Sequence, residues 1–243
     1  FLVVGQDSLS TSSRAVLHGL CAQRPSHSFT VGGTLLPFDA RMTGIYGGVF
    51  ASIAWLVARG QFLRWGIPPK RVIVVLALFV VAMGADGFNS LFTDLGLWHP
   101  WESRNELRLI TGYLTGISLG VTLSWLLGST LYRMGSRAPA VSGIREVWIV
   151  VAAFIPYAAL VLSGATWLYA PLSLFLVISG WLTMTLLALA IVVLALRLDD
   201  RITRIPQLHV PGAVAGVAGL AIMLVLALGR MWLERTFGIP TTL

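Results

Sequence analysis

The chain has 243 residues, a formal net charge of +7 and a mean hydropathy of +0.83, and only 11% of its residues are charged. A water-soluble core does not need so much apolar sequence, so the composition excludes an ordinary soluble globular protein. The positive charge comes from arginines that flank apolar runs, a pattern that favours contact with membrane lipids over binding of nucleic acid.

Six long apolar runs fill most of the chain and predict its fold class. They lie at residues 43–58, 72–90, 107–132, 147–169, 171–196 and 211–230. Because a helix needs about 20 apolar residues to cross a hydrocarbon core of ~30 Å, we predict an all-α polytopic membrane protein with about six transmembrane helices. Pro156 lies inside the fourth run and should kink that helix.

The runs divide the chain into three regions. Residues 1–42 form an extramembrane N-terminal segment, and its serines between Ser8 and Ser13 favour loop structure there. Residues 43–132 hold three helices, and residues 133–243 hold three more. The chain begins with Phe1 rather than Met, so we expect residues upstream, and the apolar run 1–4 could be the tail of an earlier helix.

The distribution of basic residues predicts the orientation of the spans. Ten of the seventeen Lys and Arg residues follow the first, third and fifth runs. The positive-inside rule therefore places these odd-numbered loops in the cytoplasm and both termini outside. We expect the protein to lie in a bacterial inner (cell) membrane as a multi-pass protein.

Small residues recur at every fourth position in three of the runs. Such spacing lays a smooth groove along one helix face, where a second backbone can approach closely. The groove serves packing within the chain or docking against helices of another subunit. The glycines concerned are Gly44 and Gly48 in the first run, Gly112, Gly116 and Gly120 in the third, and Gly212 and Gly216 in the sixth.

Two segments are richer in polar residues than helix packing requires. The first reads Cys21-Ala22-Gln23-Arg24-Pro25-Ser26-His27-Ser28-Phe29 and continues at Asp39-Ala40-Arg41-Met42-Thr43-Gly44. The second reads Asp86-Gly87 and continues at Ser103-Arg104-Asn105-Glu106-Leu107-Arg108-Leu109-Ile110-Thr111-Gly112. Together they resemble a family of small, uncharacterised bacterial integral membrane proteins. That family's pattern is Cys-His-Gln-x-Pro-x-x-Ser-Phe, Cys-x-Arg-Cys-Thr-Gly, Asp-Gly and Ser-x-Asn-x-x-Arg-x-x-Thr-Gly, and the resemblance covers about residues 20–120.

The resemblance implies a zinc or redox-thiol site made of three cysteines and a histidine, a familiar zinc set. In this chain Ala22, Asp39 and Met42 replace the histidine and two of the cysteines. We therefore predict that the metal site is lost and that the protein holds no cofactor. Cys21, His27 and Asp39 remain as weak candidates for a mixed ligand set.

The second motif is complete. Asp86 lies near the outer end of the second run, and Arg108 opens the third. Since an ionisable group in an apolar zone is normally paired, we predict that Asp86 and Arg108 meet across the hairpin between these helices. Asn89, Asn105 and Thr111 should be their hydrogen-bonding neighbours. The cluster is either a structural staple or a site for a proton, an ion or a quinone headgroup.

The leading functional hypothesis is a non-catalytic membrane subunit that packs in a larger bacterial complex, such as an electron-transfer or photosynthetic one. Its partners would be membrane lipids and other membrane protein subunits. The first alternative is a small transporter or channel component that uses Asp86, Asn105 and Arg108. The second alternative is a membrane enzyme with a residual metal site at Cys21.

Overall fold

The computed structural model describes residues 2–199 and 201–238. The predictions that involve Phe1 and residues 239–243 thus fall partly outside the described residues. The α-helices of the described part are α1 (Leu2–Leu17), α2 (Ala40–Ala58), α3 (Lys70–Asp94), α4 (Asn105–Thr130), α5 (Ile144–Ala152), α6 (Phe154–Leu162), α7 (Tyr169–Ala195) and α8 (His209–Phe237). Short 3-10 helices lie at Pro25–His27, Thr166–Leu168 and Ile205–Leu208, and strands β1 and β2 at Thr30–Val31 and Thr34–Leu35.

The prediction of an all-α polytopic membrane protein is confirmed. Within the described ranges, six helical stretches are long and apolar enough to cross a membrane. They are Ala40–Ala58, Lys70–Asp94, Asn105–Thr130, Ile144–Leu162, Thr166–Ala195 and Pro206–Phe237. Prolines and glycines set several ends: Pro69 precedes α3, and Gly238 ends α8 in the left-handed conformation at φ 63°.

The fourth span breaks beside Pro156, as predicted, and ends earlier than its apolar run. It is interrupted at Ala153, between α5 and α6. Pro156 explains the break, because it lacks the N–H that would bond to the carbonyl of Ala152 four residues earlier. The span also ends at residue 162 rather than 169, since Gly164 adopts a φ of +66° and turns the chain. The fourth apolar run therefore includes a turn and the start of the next span.

The N-terminal segment holds more regular structure than the sequence predicted. The serines lie in helix α1, where the Ser13 hydroxyl donates to the carbonyl of Ser10 at 3.1 Å. Such bonding to the preceding turn lets serine sit in a helix. Further along, β1 and β2 pair antiparallel with Thr30 opposite Leu35. Gly32 and Gly33 both have positive φ, as a two-residue hairpin turn demands.

The chain divides into two compact units. The central unit comprises Ala40–Ser129 and Gly135–Tyr157. It contains α2 to α5, and its apolar core is built around Leu76, Tyr113, Ile117 and Val147. Tyr113 also donates its hydroxyl to the carbonyl of Val150 at 3.1 Å, which holds α5 against α4.

The terminal unit comprises Phe1–Asp39, Thr130–Met134 and Ala158–Leu243. It brings α1 against α7 and α8, three helices that come from opposite ends of the chain. Leu17, Phe38 and Leu176 are completely buried within it. The helices α7 and α8 come close together at Gly219, where an added Cβ would lie 2.9 Å from the backbone nitrogen of Thr185.

Candidate functional site

The central unit holds a buried ion pair near the start of α2 and in the second half of α3. Arg41, in the first turn of α2, donates from Nη2 to Oδ2 of Asp86 on α3 at 2.6 Å. The Asp86 side chain is only 4% exposed and that of Arg41 25%. The hydroxyl of Thr111 on α4 lies 3.4 Å from the same carboxylate oxygen. Asp86 thus links three helices at one point.

The predicted direct pair between Asp86 and Arg108 is wrong, because Asp86 forms its ion pair with Arg41. Arg108 instead donates to Oδ1 of Asn105 at 2.7 Å and to Oγ of Ser103 at 2.6 Å. Its Nε also lies 3.3 Å from Oγ of Ser90, which Arg41 reaches at the same distance from the other side. Ser90 therefore connects the two arginines.

Asn89 fastens the loop that joins α3 and α4. Its side-chain Nδ2 donates to the backbone carbonyl of Trp101 at 2.9 Å, and its Oδ1 accepts the backbone N–H of Trp101 at 3.4 Å. Beside it, the hydroxyl groups of Ser90 and Ser103 form a hydrogen bond of 2.7 Å. The loop is thereby held over the cluster formed by Arg41, Asp86, Asn89, Ser90, Ser103, Asn105, Arg108 and Thr111, which we call the arginine cluster.

Close contact between α2 and α4 positions the arginine cluster. A Cβ on Gly112 would collide with the carbonyl oxygen of Arg41, so glycine at this site lets the Arg41 backbone reach α4. The same two helices touch at Gly44, Gly48 and Gly116, where an added Cβ would meet a carbonyl oxygen of the facing helix. At Gly120 it would meet the hydroxyl of Ser52. Side chains larger than hydrogen would push the helices apart.

The glycines of the sixth run behave differently from those of the first and third. An added Cβ on Gly212 has no neighbour within 4 Å among the described residues, and one on Gly216 would lie 3.6 Å from the Trp181 ring. The close approach in α8 is instead made by Gly219. The four-residue spacing alone could not distinguish the face that packs from the face that is free.

One carboxylate oxygen of Asp86 in the arginine cluster lacks a hydrogen-bond donor among the described residues. Oδ1 of Asp86 is buried and has no hydrogen-bond partner in the part of the chain that the structure describes, and the same holds for Nε of Arg41. A buried carboxylate oxygen without a donor is costly. It is therefore available to accept a hydrogen bond from a small ligand.

In the terminal unit, Cys21 and Gln23 form a tight turn between α1 and the hairpin. Gln23 has a φ of +52°. Its side-chain Nε2 donates to the backbone carbonyls of Arg14 at 2.8 Å and Pro37 at 2.9 Å. The Cys21 sulfur accepts the backbone N–H groups of Gln23 and Asp39, each at 3.3 Å. Gln23 of the first motif thus holds the end of α1 and the segment after the hairpin together.

The residues around Cys21 do not fit a metal ion. Burial, with a smaller contribution from the charge of Asp39, raises the pKa of the Cys21 thiol to about 12. A metal ligand must be a thiolate, and without a bound metal ion this environment favours the protonated thiol. In the described ranges no three His, Cys, Asp or Glu side chains come together as metal ligands would, so His27 does not complete a set with Cys21 and Asp39.

A second buried ionic group in the terminal unit was not predicted from the sequence. Glu234 on α8 contacts Nε2 of His18 at 2.9 Å and Nε of Arg230 at 2.8 Å. Arg230 also donates to the carbonyls of His18, Cys21 and Ala22. The available signal was the i, i+4 pairing of Arg230 and Glu234 at the end of an apolar run.

Comparisons with known proteins identify relatives of unknown activity. The chain matches the model of the family described as Predicted membrane protein (DUF2085) over residues 21–122. An uncharacterized protein of Methanothermobacter thermautotrophicus is 32% identical over 105 residues, which cover 42% of this chain and 82% of that protein. An uncharacterized protein of Methanocaldococcus jannaschii is also 32% identical over 105 residues, covering 43% of this chain but only 62% of that protein. No solved structure matches the chain. Both relatives are archaeal, whereas the resemblance predicted bacterial ones.

Proposed function

The chain belongs to this family of predicted membrane proteins, and from that membership we propose that it is a non-catalytic, multi-pass subunit of a larger membrane assembly. The observation that supports the proposal is that its buried carboxylates, Asp86 and Glu234, form contacts with basic side chains of the same chain. Asp86 is tied to Arg41, and Glu234 is tied to His18 and Arg230. Groups bound in this way fix helices in place, as structural polar groups in membranes do.

The outward faces of α3 and α8 supply surface for the partners. Only 22% of the most apolar stretch of each helix is buried within the chain. On α3 the side chains of Leu78 and Val81 are exposed, and on α8 those of Val217 and Leu224 are exposed. Lipids and helices of other subunits would together cover these side chains.

The test is a native mass measurement after extraction from the protein's own membrane in a mild detergent. The proposal expects a stable assembly that contains at least one other membrane protein. Recovery of a lone monomer or homodimer, at a detergent concentration that preserves known complexes of the same membrane, would refute it.

A second candidate function, proton or ion transfer, is favoured by the unpartnered Oδ1 of Asp86. Asn105 and Arg108 lie in the same cluster and would help to hold the transferred species. Reconstitution into vesicles that contain a pH-sensitive dye tests this candidate. Proton flux that disappears in Asp86→Asn but persists in Glu102→Gln, whose side chain is 79% exposed, would favour transport over a structural role.

We also propose a cell-membrane location with the odd-numbered loops in the cytoplasm. The support is the excess of basic residues in those loops. Reporters fused after Arg64 and after Arg137 should be active on the cytoplasmic side, and one near Trp98 on the outer side. Reporters that all read the same side would contradict the orientation.

A further inference from the structure

The central unit carries an apolar groove between α3 and α4 that the proposed function does not use. It has a volume of about 280 Å³ and is lined by Ile73, Ala77 and Val80 from α3 and by Val121 and Trp125 from α4. Ile73 and Val80 are each 43% exposed, so the groove is open along its length.

The polar groups on the groove walls are turned away from it. The hydroxyl of Ser118 donates to the carbonyl of Leu76 at 2.9 Å, and that of Thr122 to the carbonyl of Ser118 at 2.8 Å. These hydroxyls are already satisfied, so the groove offers hydrocarbon to its occupant. A chain of methylene groups fits such a surface, and a polar solute does not.

Aromatic and basic side chains mark the end of the groove where α3 begins. Trp125 donates its ring N–H to the carbonyl of Trp65 at 3.0 Å, with its ring against the groove. The guanidinium of Arg137 lies 5.3 Å from the Trp65 ring centre. Tryptophan with a nearby cation is typical of the level of lipid headgroups.

Lys70 is the first residue of α3 and precedes the groove residues of that helix. It precedes Ile73 by three residues and Ala77 by seven, so all three lie on one face of α3. Lys70 and Arg71 are both exposed in the first helical turn, where a positive charge opposes the helix dipole. An anion bound there would offset this unfavourable interaction, and the N–H groups of that turn would also attract it.

The dimensions match one lipid leaflet. From Lys70 to Val80 the helix rises roughly 15 Å at 1.5 Å per residue, about half of the ~30 Å hydrocarbon core. We propose that this groove binds an anionic phospholipid. One hydrocarbon chain lies along Ile73, Ala77 and Val80, and the phosphodiester lies at Lys70 and Arg71.

Lipid titration of the purified full chain, followed by native mass spectrometry, tests the proposal. Phosphatidylglycerol is the probe, and phosphatidylcholine is the zwitterionic comparison. The chain should retain one phosphatidylglycerol in preference to phosphatidylcholine. Lys70→Gln should weaken this retention about fivefold, the effect of one cation at a headgroup. The matched control is Arg145→Gln, which removes an exposed cation from the first turn of α5 and should change nothing.

A second variant tests the hydrocarbon chain. Ala77→Phe fills the groove and should abolish selective retention while helix content and thermal unfolding stay near those of the parent. Equal binding of the two lipids, equal effects of Lys70→Gln and Arg145→Gln, or undiminished retention in Ala77→Phe would overturn the proposal. If Ala77→Phe instead dissolves a dimer, the groove binds a second helix and the lipid assignment is wrong.

Discussion

Removing Arg41 should destabilise the protein far more than removing an exposed arginine of the same unit. Arg41→Gln leaves the Asp86 carboxylate, 4% exposed, without its ion-pair partner at 2.6 Å. Breaking a buried pair costs about 3–5 kcal/mol, and the 25% exposure of Arg41 argues for the lower end, about 3 kcal/mol. The matched control is Arg104→Gln. Its partner Glu102 is 79% exposed, so that change should cost about 0–1 kcal/mol.

The assay is equilibrium unfolding in mixed micelles, with helix content followed by circular dichroism. Asp86→Asn alone should also destabilise. The double variant Arg41→Gln with Asp86→Asn should cost at least about 1 kcal/mol less than the sum of the single changes, because the two groups are in contact. Equal losses for Arg41→Gln and Arg104→Gln would refute the reasoning. A larger coupling between Asp86 and Arg108 than between Asp86 and Arg41 would restore the pairing predicted from the sequence.

Three further changes probe the packing, the thiol and the second ionic group. Gly116→Ile should lower the melting temperature in detergent by several degrees relative to Leu126→Ile, because the branched side chain would separate two helices; equal melting would place this face against lipid. Cys21 should react with a maleimide at pH 8 at least tenfold more slowly in the folded protein than in the unfolded one. Its pKa is raised from 9.0 to about 12, so the unfolded state loses the proton first. Stability should therefore fall between about pH 9 and 12 in the parent more than in Cys21→Ser; the same fall in both would contradict this. Glu234→Gln should cost about 2 kcal/mol and the neighbouring exposed Arg235→Gln almost nothing in the same unfolding assay, and similar losses would count against the buried contact.

The sequence was sufficient to predict the six membrane spans, because the hydropathy of a span is averaged over about 20 residues. Errors of a few residues at its ends change that average little. The sequence was also sufficient to select the polar residues of the second motif, since charge inside an apolar zone is rare. The partner of Asp86 was missed because the complete second motif pointed to Arg108, which opens the next helix of the hairpin. Arg108 is 22 residues away and Arg41 is 45 residues away. Only the packing of α2 against α4 brings Arg41 to the site.

The ionic group at Glu234 was missed for a different reason. The sixth apolar run ends at Arg230, whereas α8 continues to Phe237, so Glu234 lies beyond the predicted span. His18 precedes the first apolar run, so hydropathy gives no signal for its burial. No local pattern joins His18 to Glu234, and their contact depends on the docking of α1 beside α8. Pairings of this kind follow from tertiary structure and not from periodicity.

The contact between His18 and Glu234 has a consequence for biogenesis. It joins positions 216 residues apart, and closing so long a segment costs chain entropy that local contacts do not. During synthesis the segment around Cys21 emerges early, yet its anchor on α8, Arg230, is translated 209 residues later. The central unit is nearly continuous in sequence and can assemble first. Until α8 has inserted, the turn at Cys21 and Gln23 lacks the donor that caps its carbonyls, and proteases should reach it. A ribosome-bound intermediate that lacks α8 should therefore be cleaved near this turn, and the finished protein should resist.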